Sequence, residues 1–321
     1  MISLNENAGV VVEKLRAAAE PLAVAVSVLE NGATVVDAGV EVRGTLEAGR
    51  LFAEACLGGL ADVQFHQLHL DDLVLPGVEV NVHCPVLACM ASQYAGWAVN
   101  VAATETSKKY FAMGSGPARA LYRGDPIFAD IDYRDTATTA VLTLEADRLP
   151  PPEAAAWVAG KCGVASARLV LLVAPTASLV GSVQIAARIV ETGLHKMHEV
   201  GFDIDTVRSG FGSCPLAPVA ADDLAAIGRT NDAVLYGGRV WYTVETDDAL
   251  IESVIESLPS SASSDHGVPF GELFSRYGGD FYKIDPLLFS PAEITITNHR
   301  SGRTFHAGRV DTGVLRASLF A

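Results

Sequence analysis

Between Ser182 and His198 the apolar residues Val183, Ala186, Ala187, Val190, Leu194 and Met197 recur at steps of three and four. That spacing lines one face of an α-helix. Gln184, Arg188, Glu191, His195 and His198 follow the same steps and form a polar stripe beside the apolar one. The pattern predicts one continuous helix that runs on into Ser209-Gly210-Phe211-Gly212-Ser213, a glycine-rich stretch read as a turn. An ordered line of one guanidinium, one carboxylate and two imidazoles is either a salt-bridged surface or the wall of an active site.

The rest of the chain alternates between helical and strand periods. Asn7 to about Glu20 reads as a helix. The next run, LAVAVSVLENGATVVDAGV, reads as two strands joined at Asn31-Gly32, a dipeptide suited to a tight hairpin turn. A helix is predicted near Leu46–Leu60, stopped by Gly58 and Gly59. VEVNVHC reads as a strand between Pro76 and Pro85, and TATTAVLTLEA alternates as a half-buried strand does. Pro150-Pro151-Pro152 cannot continue a strand ladder and reads as a connector. Beyond it PEAAAWVAGKCGV is helical and ARLVLLVAP is a buried strand. Val240–Glu245 and Ile294–Thr297 are further strands. The expected architecture is α/β (α+β), with an N-terminal α/β domain over 1–150 and a C-terminal one over 151–321 carrying the striped helix. Because chains cross between domains, that boundary is open and can be discontinuous.

Composition narrows the function classes. A 321-residue chain that is 50% hydrophobic can bury more than one core. Its mean hydropathy is positive at +0.28, yet apolar runs such as Leu169–Pro175 fall far short of the roughly 20 residues of a spanning helix. The N-terminal stretch lacks a basic start and an uninterrupted apolar segment, so the expected location is cytoplasmic. A net charge of −15 argues against nucleic acid as a partner. An anionic ligand then needs a local cluster of arginine and backbone amides. Five scattered cysteines point to reduced thiols rather than a disulfide framework.

Several groups are candidates for chemistry. His66 with His69, and His195 with His198, have metal-like spacing, but no third or fourth ligand stands at a familiar distance, and no metal is expected. Neither Cys84 nor Cys89 has a visible base beside it. Gly114-Ser115-Gly116, with Arg119 close by, and Gly210 and Gly212, with Arg208, can present several amides to one point, as anion-binding nests do. Neither stretch is a Walker loop or a dinucleotide fingerprint. Tyr236-Gly237-Gly238 is a third place where backbone can lie against a flat ring.

CMASQYAGW (89–97), MGSGPARAL (113–121), the segment 188–218 and NDAVLYGGRVW (231–241) together resemble the methenyltetrahydromethanopterin cyclohydrolase family, the one-carbon pterin enzymes of methanogens and some methylotrophic bacteria. The resemblance implies a two-domain α/β subunit with the pterin in the cleft between domains, assembled as a homotrimer. It also implies interconversion of 5,10-methenyl-tetrahydromethanopterin and its 5-formyl form with water alone and no cofactor. The family's catalytic Arg and Glu, three residues apart on a helix, fall on Arg188 and Glu191. Gly114, Ser115, Gly116, Arg119, Arg208, Gly210, Gly212, Tyr236, Gly237 and Gly238 become expected substrate-binding residues. The methenyl carbon is already cationic, so a carboxylate that places and deprotonates a water suffices, with Arg188 holding Glu191 or the developing oxygen. The competing readings are a non-catalytic pterin carrier and a metal-dependent amidohydrolase built on the histidine pairs.

Overall fold

A computed structural model describes residues 2–103, 108–279 and 283–320. The chain forms two compact units, one of residues 1–61 and 87–184 and the other of 62–86 and 185–321. It begins with α1 (Leu4–Ala17), β1 (Ala25–Val28), β2 (Thr34–Asp37) and α2 (Leu46–Cys56), then crosses to the second unit for β3 (Ala61–Leu70) and β4 (Leu73–Val82). Back in the first unit a π-helical segment, Val86–Gln93, precedes β5 (Trp97–Val101), β6 (Tyr110–Ser115), α3 (Ala118–Tyr122) and β7 (Ala140–Glu145). Next come α4 (Pro152–Cys162), β8 (Leu169–Ala174) and α5 (Leu179–Ala186). The remainder is α6 (Ile189–Glu199), β9 (Val207–Pro215), α7 (Asp223–Gly237), β10 (Arg239–Val244), α8 (Asp248–Val254), α9 (Phe270–Arg276), β11 (Glu293–Asn298), β12 (Thr304–Gly308) and α10 (Thr312–Leu319).

The units do not divide near residue 150. The proline triplet lies inside the first unit between β7 and α4, where Pro152 opens α4 with the fixed φ that suits a first helical turn. The connections between units fall at 61/62, 86/87 and 184/185.

In the first unit the sheet order is β1-β2-β8-β7-β6-β5, and β2, β8 and β7 run parallel. Asn31-Gly32 forms the expected hairpin, with Gly32 at φ +86°. Strand alternation sends Leu142, Leu144, Leu171 and Val173 into a core with α4. Their neighbours Val141, Leu172 and Ala174 enter a second core with α1, α2 and Val180 of α5. Asn5, fully buried, ties α1 down: its Nδ2 donates to Pro117 O and Asp135 Oδ2, and its Oδ1 accepts from Val141 N.

In the second unit the order is β12-β11-β10-β9-β4-β3. The stretch Ser209–Ser213, expected as a turn, is the middle of β9, paired antiparallel to both β10 and β4. Its amides therefore belong to sheet ladders, not to a nest. The striped segment is not one helix either; it breaks at Ala187-Arg188 into α5 and α6. The apolar stripe still holds on both sides of the break, with all six of its residues at 2% exposure or less.

One buried carboxyl in this unit carries a pH signature. Asp232 accepts from Phe270 N (2.8 Å) and from the Ser318 hydroxyl. Burial outweighs those bonds and pushes its pKa up to about 6. A carboxyl whose folded pKa is raised keeps its proton in the fold while the unfolded chain gives it up. Its contribution to stability is thus complete below about pH 4 and is lost as pH rises to about 6, a change of about 3 kcal/mol. Asp232→Asn is expected to match the parent near pH 4 and to exceed it by about that amount above pH 6.5. Urea titrations across pH 4–8 measure this, and a difference independent of pH would rule it out.

Candidate active site

α6 lies unusually close to its sheet because the contact is built from glycines. A Cβ on Gly210 would come within 2.5 Å of Val190 Cγ1, and one on Gly212 within 2.8 Å of Ile189 Cγ2. From the helix side, a Cβ on Gly193 would strike the Tyr242 hydroxyl. That hydroxyl instead donates to Val190 O at 2.6 Å, pinning the first turn of α6 from below. Arg188 occupies the N-cap position at φ −80°, ψ 1°. Its carbonyl accepts from both Thr192 N (2.7 Å) and Thr192 Oγ1 (2.9 Å). Glu191 thereby sits in the first turn of an eleven-residue helix, where the helix dipole favours an anion.

Arg188 Nη1 and Glu191 Oε2 are 3.7 Å apart, with side chains 14% and 8% exposed. Both line a concavity of about 180 Å³ with Thr192, His195, Asn231 and Phe289. A liquid water occupies roughly 30 Å³, so the space admits water beside the carboxylate. The arrangement is that of a shielded acid–base site in which the guanidinium balances the carboxylate.

Asn231 and Phe289 were not predicted. Asn231 lies within one of the resemblance blocks, but nothing in the local pattern of Phe289 marks it. Its segment is held by Lys196, a buried lysine on α6 whose Nζ donates to Leu287 O. Burial lowers that ammonium to about 8, against the pull of Asp285.

The other predicted residues lie elsewhere in their units. Gly114 and Ser115 end β6, Gly116 turns at φ +104°, and Gly116 N donates to Ser92 O. Arg119 is fully buried. Its Nε meets Asp125 Oδ2 at 2.7 Å, and its Nη1 donates to Met90 O and Ser92 O, both at 2.9 Å. Committed in this way, it anchors the π-helical segment. Arg208 is exposed on β9 and paired with Glu245 at 2.9 Å. Tyr236 is buried in α7, donating to Val268 O and tilted against the His266 ring, and burial pushes its phenol up to about 12. A Cβ on Gly237 would meet Pro215, and one on Gly238 would meet Ile189. These two glycines admit the chain's own side chains, where a ligand ring was expected.

His195 and His198 both approach Glu199, at 3.4 and 4.0 Å, and His66 approaches Glu79 at 3.8 Å. Among the described residues no three or more His, Cys, Asp or Glu side chains are grouped to hold a metal ion. All five cysteines are free thiols, and burial raises Cys162 to about 12. No helix among the described residues is long and apolar enough to cross a membrane.

The family model described as cyclohydrolase (MCH) matches residues 3–319. A methenyltetrahydromethanopterin cyclohydrolase of Methylobacterium organophilum is 47% identical over 320 residues, covering 99% of this chain and 97% of that protein. Enzymes of the same name from Methanocaldococcus jannaschii and Methanococcoides burtonii are 46% and 42% identical. Each covers 99% of this chain and 98% of its own length.

Proposed function

The chain belongs to the methenyltetrahydromethanopterin cyclohydrolase family, and from that premise we propose how its residues carry out the reversible hydrolysis of 5,10-methenyl-tetrahydromethanopterin to the 5-formyl compound. The observation that carries this reading is the Arg188–Glu191 pair on the wall of a concavity that admits water.

Glu191 accepts a proton from a water as the water oxygen bonds to the cationic methenyl carbon. The neutral adduct then collapses: the hydroxyl gives up its proton, the carbon–N10 bond breaks and N10 is protonated. One proton is released overall, and the formyl group stays on N5. Arg188 steadies the carboxylate and the oxygen on which charge develops. Because the substrate carbon is itself cationic, the reaction needs neither Lewis acid nor organic cofactor. Gly210, Gly212 and Gly238 act by letting the first turn of α6 pack closely, at Ile189 and Val190, rather than by reacting.

The enzyme works in the cytoplasm in one-carbon metabolism. The predominance of arginine over lysine favours a formaldehyde-oxidising bacterium over a methanogen. It assembles as a homotrimer. Phe211 and Trp241 support self-association: they pair across β9 and β10, on the sheet face opposite α6, at 43% and 51% exposure.

One experiment tests these statements together. Protein dialysed exhaustively against a chelator is sized by light scattering and assayed for loss of methenyl-pterin absorbance. Undiminished turnover by a trimer is expected. Binding without turnover would leave a pterin carrier, and activity lost on chelation and restored by zinc would favour the histidine pairs.

A further inference from the structure

In the first unit, β7 and β8 lie side by side and parallel, and the helices that follow them leave on opposite faces of the sheet. α4, after β7, packs in the core with Leu142, Leu144, Leu171 and Val173. Val180 of α5, after β8, packs in the core with Leu172 and Ala174 on the other face. The chain therefore diverges beyond the carboxyl ends of these two strands, the place where open α/β sheets take their ligands. Glu145, the last residue of β7, stands there.

Its carboxylate is held by neutral donors. Oε1 accepts from the Thr176 hydroxyl, and Oε2 accepts from Gln184 Nε2 at 3.3 Å. Thr176 is 3% exposed and Gln184 4%, so both donors are fixed by packing, while Glu145 keeps part of its surface open. The loop between them is fixed as well. Ser178 Oγ donates to Pro175 O and accepts from Gly181 N. A Cβ on Gly181 would collide with the carbonyls of Pro175 and Thr176. No arginine, lysine or histidine among the described residues pairs with Glu145. Each carboxylate oxygen has two lone pairs, and one on each is taken. The remaining pair points to a ligand that brings two parallel N–H donors.

We propose that Glu145, steadied by Thr176 and Gln184, is the specificity residue for the pterin ring, taking its 2-amino group and N3–H as a two-pronged hydrogen-bonded pair. The inference rests on the reading that the substrate is a pterin. A 2-amino-4-oxopyrimidine edge presents the same double donor to a carboxylate that a guanidinium does. This contact is equal in ground and transition states, so it governs binding rather than the chemical step. In a chain of net charge −15, an anion without a cation at the carboxyl ends of these strands is otherwise unrewarded.

The test uses 6-methylpterin and 6-methyllumazine, which differ in carrying an amino or an oxo group at position 2. Each is titrated into the full-length protein by fluorescence quenching and is also used as a competitor of methenyl-pterin hydrolysis. The parent should bind the pterin at least tenfold more tightly, since a site built around donors rejects an acceptor in their place. Glu145→Gln, whose amide offers a donor as well as an acceptor, should lose that preference. It should raise KM for the natural substrate ten- to hundredfold with little change in kcat. Parent protein that binds the two rings alike, including undetectably, overturns the proposal, as does a variant that keeps the preference. So does a fall in kcat at unchanged KM. If Glu145→Gln does not fold, the parent's discrimination between rings decides alone. Turnover by the parent reports separately on the proposed activity, so failure of that reading is distinguishable from failure of this one.

Discussion

Glu191→Gln is expected to lower kcat by about 10²–10⁴-fold, the scale of a positioned general base. The substitution changes one terminal oxygen to an amide and leaves the volume and the first turn of α6 intact. What it removes is the proton acceptor beside the concavity and the charge 3.7 Å from Arg188. Neither Thr192 nor Asn231, which share that wall, can take a proton from water at neutral pH. His195 is the remaining base in the lining, and it is turned toward Glu199 at 3.4 Å. Steady-state kinetics beside a thermal melt distinguish a catalytic loss from unfolding. Turnover within a few-fold of the parent, in a folded variant, would remove Glu191 from the mechanism.

Arg119→Ala is expected to cost about 3–5 kcal/mol of stability, because it strands one member of a buried ion pair. The Asp125 side chain is 4% exposed and would be left buried with no cation beside it, while Met90 O and Ser92 O would each lose a donor. The π-helical segment Val86–Gln93 would lose its tether to the turn after β6. Cation–π contacts with Tyr94 and Phe128, both near 5 Å, go with it. Urea unfolding measures the loss, and the double variant Arg119→Met/Asp125→Leu should recover much of it. A variant of parental stability with only a raised KM would instead assign Arg119 to the substrate's acidic tail.

Much of the local structure was legible because side-chain period reports burial directly. The stripe from Val183 to Met197 is buried as its spacing predicts, and the Asn31-Gly32 hairpin, α2, α4 and β8 stand where the pattern places them. β9 was not legible. Two glycines among five residues mask the strand preference of Phe211, and Gly210 and Gly212 are there to admit Val190 and Ile189, residues some twenty positions away. The break at Arg188 has no proline or glycine to announce it. Arg188 and Glu191 were assigned through family resemblance, since the spacing alone favoured a local ion pair. Phe289 and Lys196 were missed for one reason: Lys196 holds the segment ahead of Phe289 through Leu287 O, across ninety-one positions of chain, and nothing in either neighbourhood refers to the other.

The crossings between units set an order of events during synthesis. β4 ends at Val82, and its partner β9 begins at Val207. At about 5–20 residues per second, the 124 residues between them take roughly 6–25 s to emerge. Throughout that interval Val78, Val80 and Val82, all fully buried in the finished sheet, have no strand or helix to cover them. During the same interval the first unit receives the π-helical segment, β5, β6, α3, β7, α4, β8 and α5, and it gathers its central strands as soon as Ala174 is made. The nascent chain thus matures out of sequence, completing one unit while an earlier hairpin of the other still waits for β9. A chain stopped at residue 150 would hold that hairpin permanently bare, an edge available to any other strand in the cell.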